Sequence, residues 1–116
     1  MSQNTLLGAF EELVLLAVAH LGGQAYGMQV RREIERRSGR EVAIGAVYAT
    51  LERMHEKGYL DSDLVPAGEE RRGRPRKFFS LQPPGLQALR QARRLHERMW
   101  SGVDVAALEG KGEVPQ

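Results

Sequence analysis

The sequence predicts a mainly α fold with a small β-hairpin, an α+β domain in which three helices precede the hairpin and one long helix follows it. Three observations carry this prediction. Apolar residues recur every three or four positions in four segments, and the first three of these run into glycine. Two short β-prone runs flank a tip rich in Gly, Pro and charge, PAGEERRGRPR. Aromatic residues are only 6% of the 116-residue chain, so the core must be mainly Leu, Val, Ala and Met, which suits packed helices better than a large sandwich.

The first helix is expected from about Leu6 to Leu21, with Leu6, Phe10, Leu13, Val14, Ala17 and Leu21 on one face. Leu15, Leu16 and Val18 make it apolar on its other faces too, and such a helix must be buried on more than one side. A central core helix meets that need, but a short chain has little material to surround one. One side against its own domain and another against a second subunit is the favoured reading. Gly22-Gly23 closes this helix, and the next is expected from about Ala25 to Arg37, stopped by Ser38-Gly39. Its stripe of Tyr26, Val30 and Ile34 is narrow and its other positions are mostly charged, the pattern of a surface helix. The third helix, about Ile44 to Lys57, sets Ile44, Val47, Leu51 and Met54 inward and Gly45, Ala46, Ala49, Thr50 and Arg53 outward, and stops at Gly58.

Tyr59 to Val65 and Lys77 to Leu81 read as the two strands of the hairpin, which is too small to stand in water and must pack on the helices. After Pro83-Pro84-Gly85 a single helix is expected from about Leu86 to Leu108. Its broad apolar stripe cannot be buried on itself, so a second copy of the chain is the natural partner. Leu6, Phe10, Leu89, Leu95, Met99 and Val103 are the residues expected at that interface. The chain then divides into a domain over 1–82, a dimerisation helix over 83–108 packed on it, and a flexible polar tail over 109–116.

Several function classes fall away. There is no cysteine, so no disulfide framework, thiolate metal site or cysteine nucleophile exists. His20, His55 and His96 are scattered away from metal-ligand spacing, the serines sit in no nucleophile motif, and Gly22-Gly23 lacks the lysine of a phosphate loop. No enzyme, cofactor or metal is expected. MSQNTLLGAFEE does not read as a secretory signal, and the longest apolar run, Leu13 to Ala19, is far short of the roughly 18 to 20 residues of a membrane span. A cytoplasmic protein is expected.

The distribution of charge is more informative than its sum. Glu69 to Lys77 holds five cations (Arg71, Arg72, Arg74, Arg76 and Lys77) and two acids, a net of +3 in a chain whose total is +2. Guanidinium groups suit phosphate oxygens and narrow, electronegative minor grooves, and Gly73 and Pro75 keep the backbone slim. Arg72-Gly73-Arg74-Pro75 also resembles the core of an AT-hook. A charge run alone is more often a solvated loop. Here it follows a helix pair whose second member has small residues at its exposed start, which lets a backbone approach the major groove and a methyl group touch thymine. Together these features read as a winged helix-turn-helix that binds double-stranded DNA.

The same residues carry a family resemblance. Tyr26-Gly27, Ala46-Val47-Tyr48, Leu51-Glu52-Arg53-Met54, Lys57-Gly58-Tyr59-Leu60, Gly73-Arg74-Pro75-Arg76-Lys77-Phe78-Phe79-Ser80-Leu81 and Gly85 are similar to the signature of PadR-type transcriptional regulators, over about Leu6 to Val103. The resemblance implies a winged helix domain, a homodimer formed through the first and last helices, and repression by binding an inverted repeat. One C-terminal helix points to the short subgroup. By the resemblance Tyr48 contacts a DNA phosphate, and Arg74, Arg76 and Lys77 belong to the wing. Some short members bind flat aromatic compounds at the dimer interface, and His96 and Trp100, one turn apart, are the candidates here for a small aromatic effector. Trp100 packing on the partner subunit is the plainer reading. The chain departs from the pattern at Phe79, where tyrosine is frequent, and at Gln82, where a threonine usually caps the last helix. Two other functions compete: a winged helix that docks on an acidic protein, and a dimeric small-molecule sensor without sequence-specific DNA binding.

Overall fold

The structure, a computed structural model, describes residues 6–66 and 75–113, with side chains described as far as residue 110. Helix α1 (Ala9–His20) begins where the Glu11 carboxylate accepts the N–H of Gly8 at 2.9 Å. It ends where Gly22 and Gly23 both take φ of 90°, so that Gly23 donates to the Val18 carbonyl at 2.9 Å and Gly22 to that of Ala19 at 3.1 Å. These two bonds satisfy carbonyls that the helix end would otherwise leave open.

The next element departs from expectation. Gln24–Tyr26 is a short strand, β1, and helix α2 (Gly27–Ser38) starts two residues later than the spacing of its apolar stripe suggests. Ala25 is fully buried opposite Phe79, and ladder bonds from a distant strand fix this segment, so no local periodicity announces it. The sheet therefore has three strands and not two. Helix α3 (Ile44–Glu56) leads through Gly58 into β2 (Leu60–Val65), and β3 (Arg76–Leu81) returns between β1 and β2, antiparallel to both.

The core joins Val14, Leu15 and Val18 of α1 to Val30 of α2, Val47, Leu51 and Met54 of α3, and Leu60 and Phe79 of the sheet, all essentially inaccessible to solvent. Phe79 is the largest fully buried side chain, and lacking a hydroxyl it needs no polar partner there.

Helix α4 (Pro83–Trp100) starts with Pro83 and Pro84 in its first turn, whose missing N–H groups cost nothing at a helix start. Gln82 makes no side-chain cap, but the helix is anchored by the approach of Gly85 to the residue that precedes β2: a Cβ at Gly85 would lie 2.4 Å from the Tyr59 carbonyl oxygen. The single long helix expected to reach Leu108 is two. Ser101 leaves helical geometry, Gly102 takes φ of 84°, and Asp104 accepts the N–H of Ala107 at 3.1 Å to open α5 (Val105–Glu113). The segment expected to be a frayed tail is thus helical through Glu113.

The Cα radius of gyration is 18.1 Å, well above the roughly 13 Å of a compact chain this long. The excess fits α4, of which only Gly85 and Leu89 are buried.

Candidate nucleic-acid interface

Helix α3 faces two ways. Val47, Thr50, Leu51 and Met54 are buried at three- and four-residue spacing, while Gly45, Ala46, Tyr48 and Ala49 are exposed. Thr50 is thereby corrected. It was expected on the outer face, but it is 3% exposed and its hydroxyl accepts a hydrogen bond from Arg53 at 3.3 Å. Its place three residues after Val47 and four before Met54 puts it in the inward stripe, where a small hydroxyl is tolerated because it has a partner. Arg53 remains exposed but is not idle. Its Nε donates to Glu11 Oε2 of α1 at 3.1 Å, and Lys57 Nζ lies 3.8 Å from the same oxygen. The Glu11 carboxyl is held below its ordinary range, first by the N–H of Gly8 and then by Arg53 and Lys57.

Tyr48 is placed by α2. A Cβ at Gly27 would fall 2.4 Å from the Tyr48 ring and 2.8 Å from its hydroxyl, so the ring lies directly on the first residue of α2. Only glycine permits this contact. The hydroxyl is consequently held beside the positive end of that helix, where an anion is favoured. Glu33, almost inaccessible, stiffens α2 from its far end by accepting from both Arg36, at 2.9 Å, and Arg37. Those two guanidinium groups, Arg37 first, hold its carboxyl below the usual value.

The wing is described at its root. Arg76 stacks on the Tyr26 ring at 3.9 Å, and that ring meets Phe78 edge-on at 5.4 Å. Lys77 Nζ is 2.7 Å from Glu52 Oε2 on α3. These two cations therefore lock the wing to the end of β1 and to α3. Arg71, Arg72 and Arg74 lie outside the described residues. Glu52 escaped the sequence reading because its partner is 25 residues away.

The expected interface residues separate. Leu6 and Met99 are 68% and 71% exposed, Val103 is exposed, and Phe10 and Leu95 are half-buried against their own chain. Leu89 is corrected, because at 8% exposure it belongs to the core of its own domain. Leu13, Leu16 and Leu86 were not expected there but are exposed too. The signal for Leu13 and Leu16 was the apolar circumference of the first helix. Trp100, 62% exposed, lines a groove of about 610 Å³ with Leu16, Leu86 and His96, and His96 Nε2 lies 3.1 Å from Glu12 Oε1. No group of side chains suited to a metal ion occurs among the described residues. No helix among them is long and apolar enough to cross a membrane.

The profile described as the transcriptional regulator PadR-like family matches residues 15–91, which takes in the second half of α1, then β1, α2, α3, the wing strands and half of α4. The chain belongs to the PadR-like family of transcriptional regulators. Solved structures agree with that membership. A PadR family transcriptional regulator from Eggerthella lenta DSM 2243 is 25% identical, with 83% of this chain and 80% of that one covered and a TM-score of 0.65. One from Clostridium difficile R20291 is 23% identical, covering 79% and 90%, at a TM-score of 0.62. F93 from STIV, described as a winged-helix DNA-binding protein, shares the fold at 15% identity, covering 80% and 92%, at a TM-score of 0.62. No curated protein matches the chain. The winged helix expected from the sequence is thus the fold of this PadR-like regulator.

Proposed function

We propose that this PadR-like chain is a repressor that binds an inverted repeat of double-stranded DNA as a homodimer. The observation that carries the reading is the outer face of α3: small residues at Gly45, Ala46 and Ala49, with the Tyr48 ring braced on α2 and the wing root tied to the same helix through Lys77 and Glu52. Small side chains allow the helix backbone to approach base edges, and Tyr48 at the α2 terminus suits a phosphate. Arg71, Arg72 and Arg74 supply further phosphate or minor-groove contacts. The exposed apolar residues of α1 and α4 supply the dimer contact, and the two-fold axis so created calls for a palindromic site. A flat aromatic effector would enter the groove beside Trp100 and His96 and release the DNA by changing how two copies pack. The boundary near residue 82 separates the DNA-binding unit from the helix that sets half-site spacing.

Genomic DNA fragments selected by the purified protein should yield a palindrome upstream of a gene, its own included. Retention of random fragments alone would defeat the proposal. Arg74→Ala should weaken binding to all DNA and reduce the magnitude of the salt slope by about one. An unchanged affinity and slope would instead favour an acidic protein as the partner of the wing.

A further inference from the structure

The outer face of α3 is poor in groups that can read a base. Gly45, Ala46 and Ala49 offer no side-chain hydrogen bond, Thr50 is buried, and the Arg53 guanidinium is held by Glu11 and Thr50. Tyr48 is occupied against α2. The remaining polar side chain in that row is Glu52, which follows Tyr48 by four residues and Ala49 by three and so shares their side of the helix.

A carboxylate near DNA needs a reason to be there, because phosphates repel it. Two features of the structure supply one. Lys77 binds Oε2 at 2.7 Å and offsets the charge, while among the described residues the charged group recorded nearest Oε1 is His55 Nδ1, at 3.9 Å. One oxygen is thus fixed, and no described residue donates a hydrogen bond to the other. An ionised carboxylate only accepts hydrogen bonds, and in the major groove the base donors are the N4 amino group of cytosine and the N6 amino group of adenine. Adenine N6 lies beside the N7 acceptor, which repels a carboxylate, whereas cytosine presents its donor alone.

We infer that Glu52 is a specificity-determining residue of this regulator, accepting a hydrogen bond from cytosine N4 once in each half-site, with Lys77 as the residue that positions its carboxylate. The inference rests on the DNA-binding reading above. It also assigns Lys77 a role at the base-reading helix and not only along the phosphates.

The test is selection of duplexes from a randomised pool by the full-length protein and by its Glu52→Ala and Glu52→Gln variants. The pair with Lys77 is half-exposed, so both variants should keep the fold, as a thermal melt will record. The wild-type pool should carry cytosine at one position per half-site. Glu52→Ala should lose that preference by roughly tenfold at that position and keep the others. Glu52→Gln should shift it toward adenine, since a carboxamide both donates and accepts and so matches N6 with N7. If Glu52→Ala keeps every wild-type preference, with affinity unchanged or raised uniformly, Glu52 is merely the counter-ion of Lys77 and the inference is overturned while DNA binding stands. A wild-type pool without any enriched sequence would overturn both.

Discussion

Helices α3 and α4 are both amphipathic, yet they are completed in different ways. Of the 13 residues of α3 four are buried, and they form an unbroken inward stripe. Of the 18 residues of α4 only Gly85 and Leu89 are, although Leu86, Met99 and Trp100 are large and apolar. Helix α3 is thus finished inside its own chain, and its outer face is free to be small and polar. Helix α4 is unfinished there, and its apolar face is available to another copy. Burial of the chain's own core and availability for assembly are separate properties of an amphipathic helix, and periodicity alone does not tell them apart.

The sharpest way to break this contrast is a pair of truncations. Leu51→Ala in α3 should cost about 2–5 kcal/mol in urea unfolding, because a fully buried side chain leaves a cavity. Met99→Ala in α4 should be nearly silent in the dilute monomer, and an equal loss at both positions would erase the distinction drawn here. Second in size, Trp100→Glu should weaken self-association by about 2 kcal/mol or more, the scale of an aromatic anchor in an interface. Sedimentation at micromolar concentration would then show the 13.0 kDa species where the parent protein is expected to show a dimer; a parent that is itself monomeric would refute the proposed assembly role of α4. Third, Gly27→Ala should cost roughly 1–3 kcal/mol, since its methyl would meet the Tyr48 ring at 2.4 Å. Relief of that loss in the double variant with Tyr48→Ala would locate the strain in this contact, and strict additivity would count against it.

The smallest effect is electrostatic. The Glu11, Glu33 and Glu35 carboxyls are all held below their ordinary value, Glu35 chiefly by the N–H of Val42. Each therefore releases its proton more readily in the folded chain than in the unfolded one. The stability they contribute is complete above the ordinary glutamate pKa, about 4.3, and is lost as the pH falls through the lower folded values. Denaturation midpoints taken from pH 5 downward should fall, and the fall should be shallower in Glu35→Gln. An identical slope in that variant would remove Glu35 from the account. These groups belong to α1 and α2, so the acid effect should appear in unfolding before it appears in association through α4.

Much of this was legible in the residues. The spacing of Val47, Leu51 and Met54 marked the buried side of α3, and Gly22, Gly39 and Gly58 marked helix ends that the structure keeps. The break after Trp100 was legible too, since Gly102 followed by Asp104 is a stop followed by a cap, but the apolar stripe running on to Ala107 obscured it. Other features had no local trace. Strand β1 exists because β3 pairs with it, and Gln24-Ala25-Tyr26 is too short to alternate visibly. Thr50 is the exception, since its spacing from Val47 and Met54 marked it as inward, but a hydroxyl side chain reads as a surface residue. The Lys77–Glu52 and Arg53–Glu11 pairs join segments 25 and 42 residues apart, a separation that only the folded chain closes.

The strand order β1-β3-β2 has a consequence in time. The last strand in the sequence is the middle one in space, so neither Gln24–Tyr26 nor Leu60–Val65 has a partner until Arg76–Leu81 has left the ribosome. Helices α1 to α3 can gather early through near neighbours, while the sheet must close late and in one step, since loop closure precedes any gain from long-range pairing. A nascent chain that had emerged only as far as residue 75 would hold the whole of α3 and no closed wing to seat it.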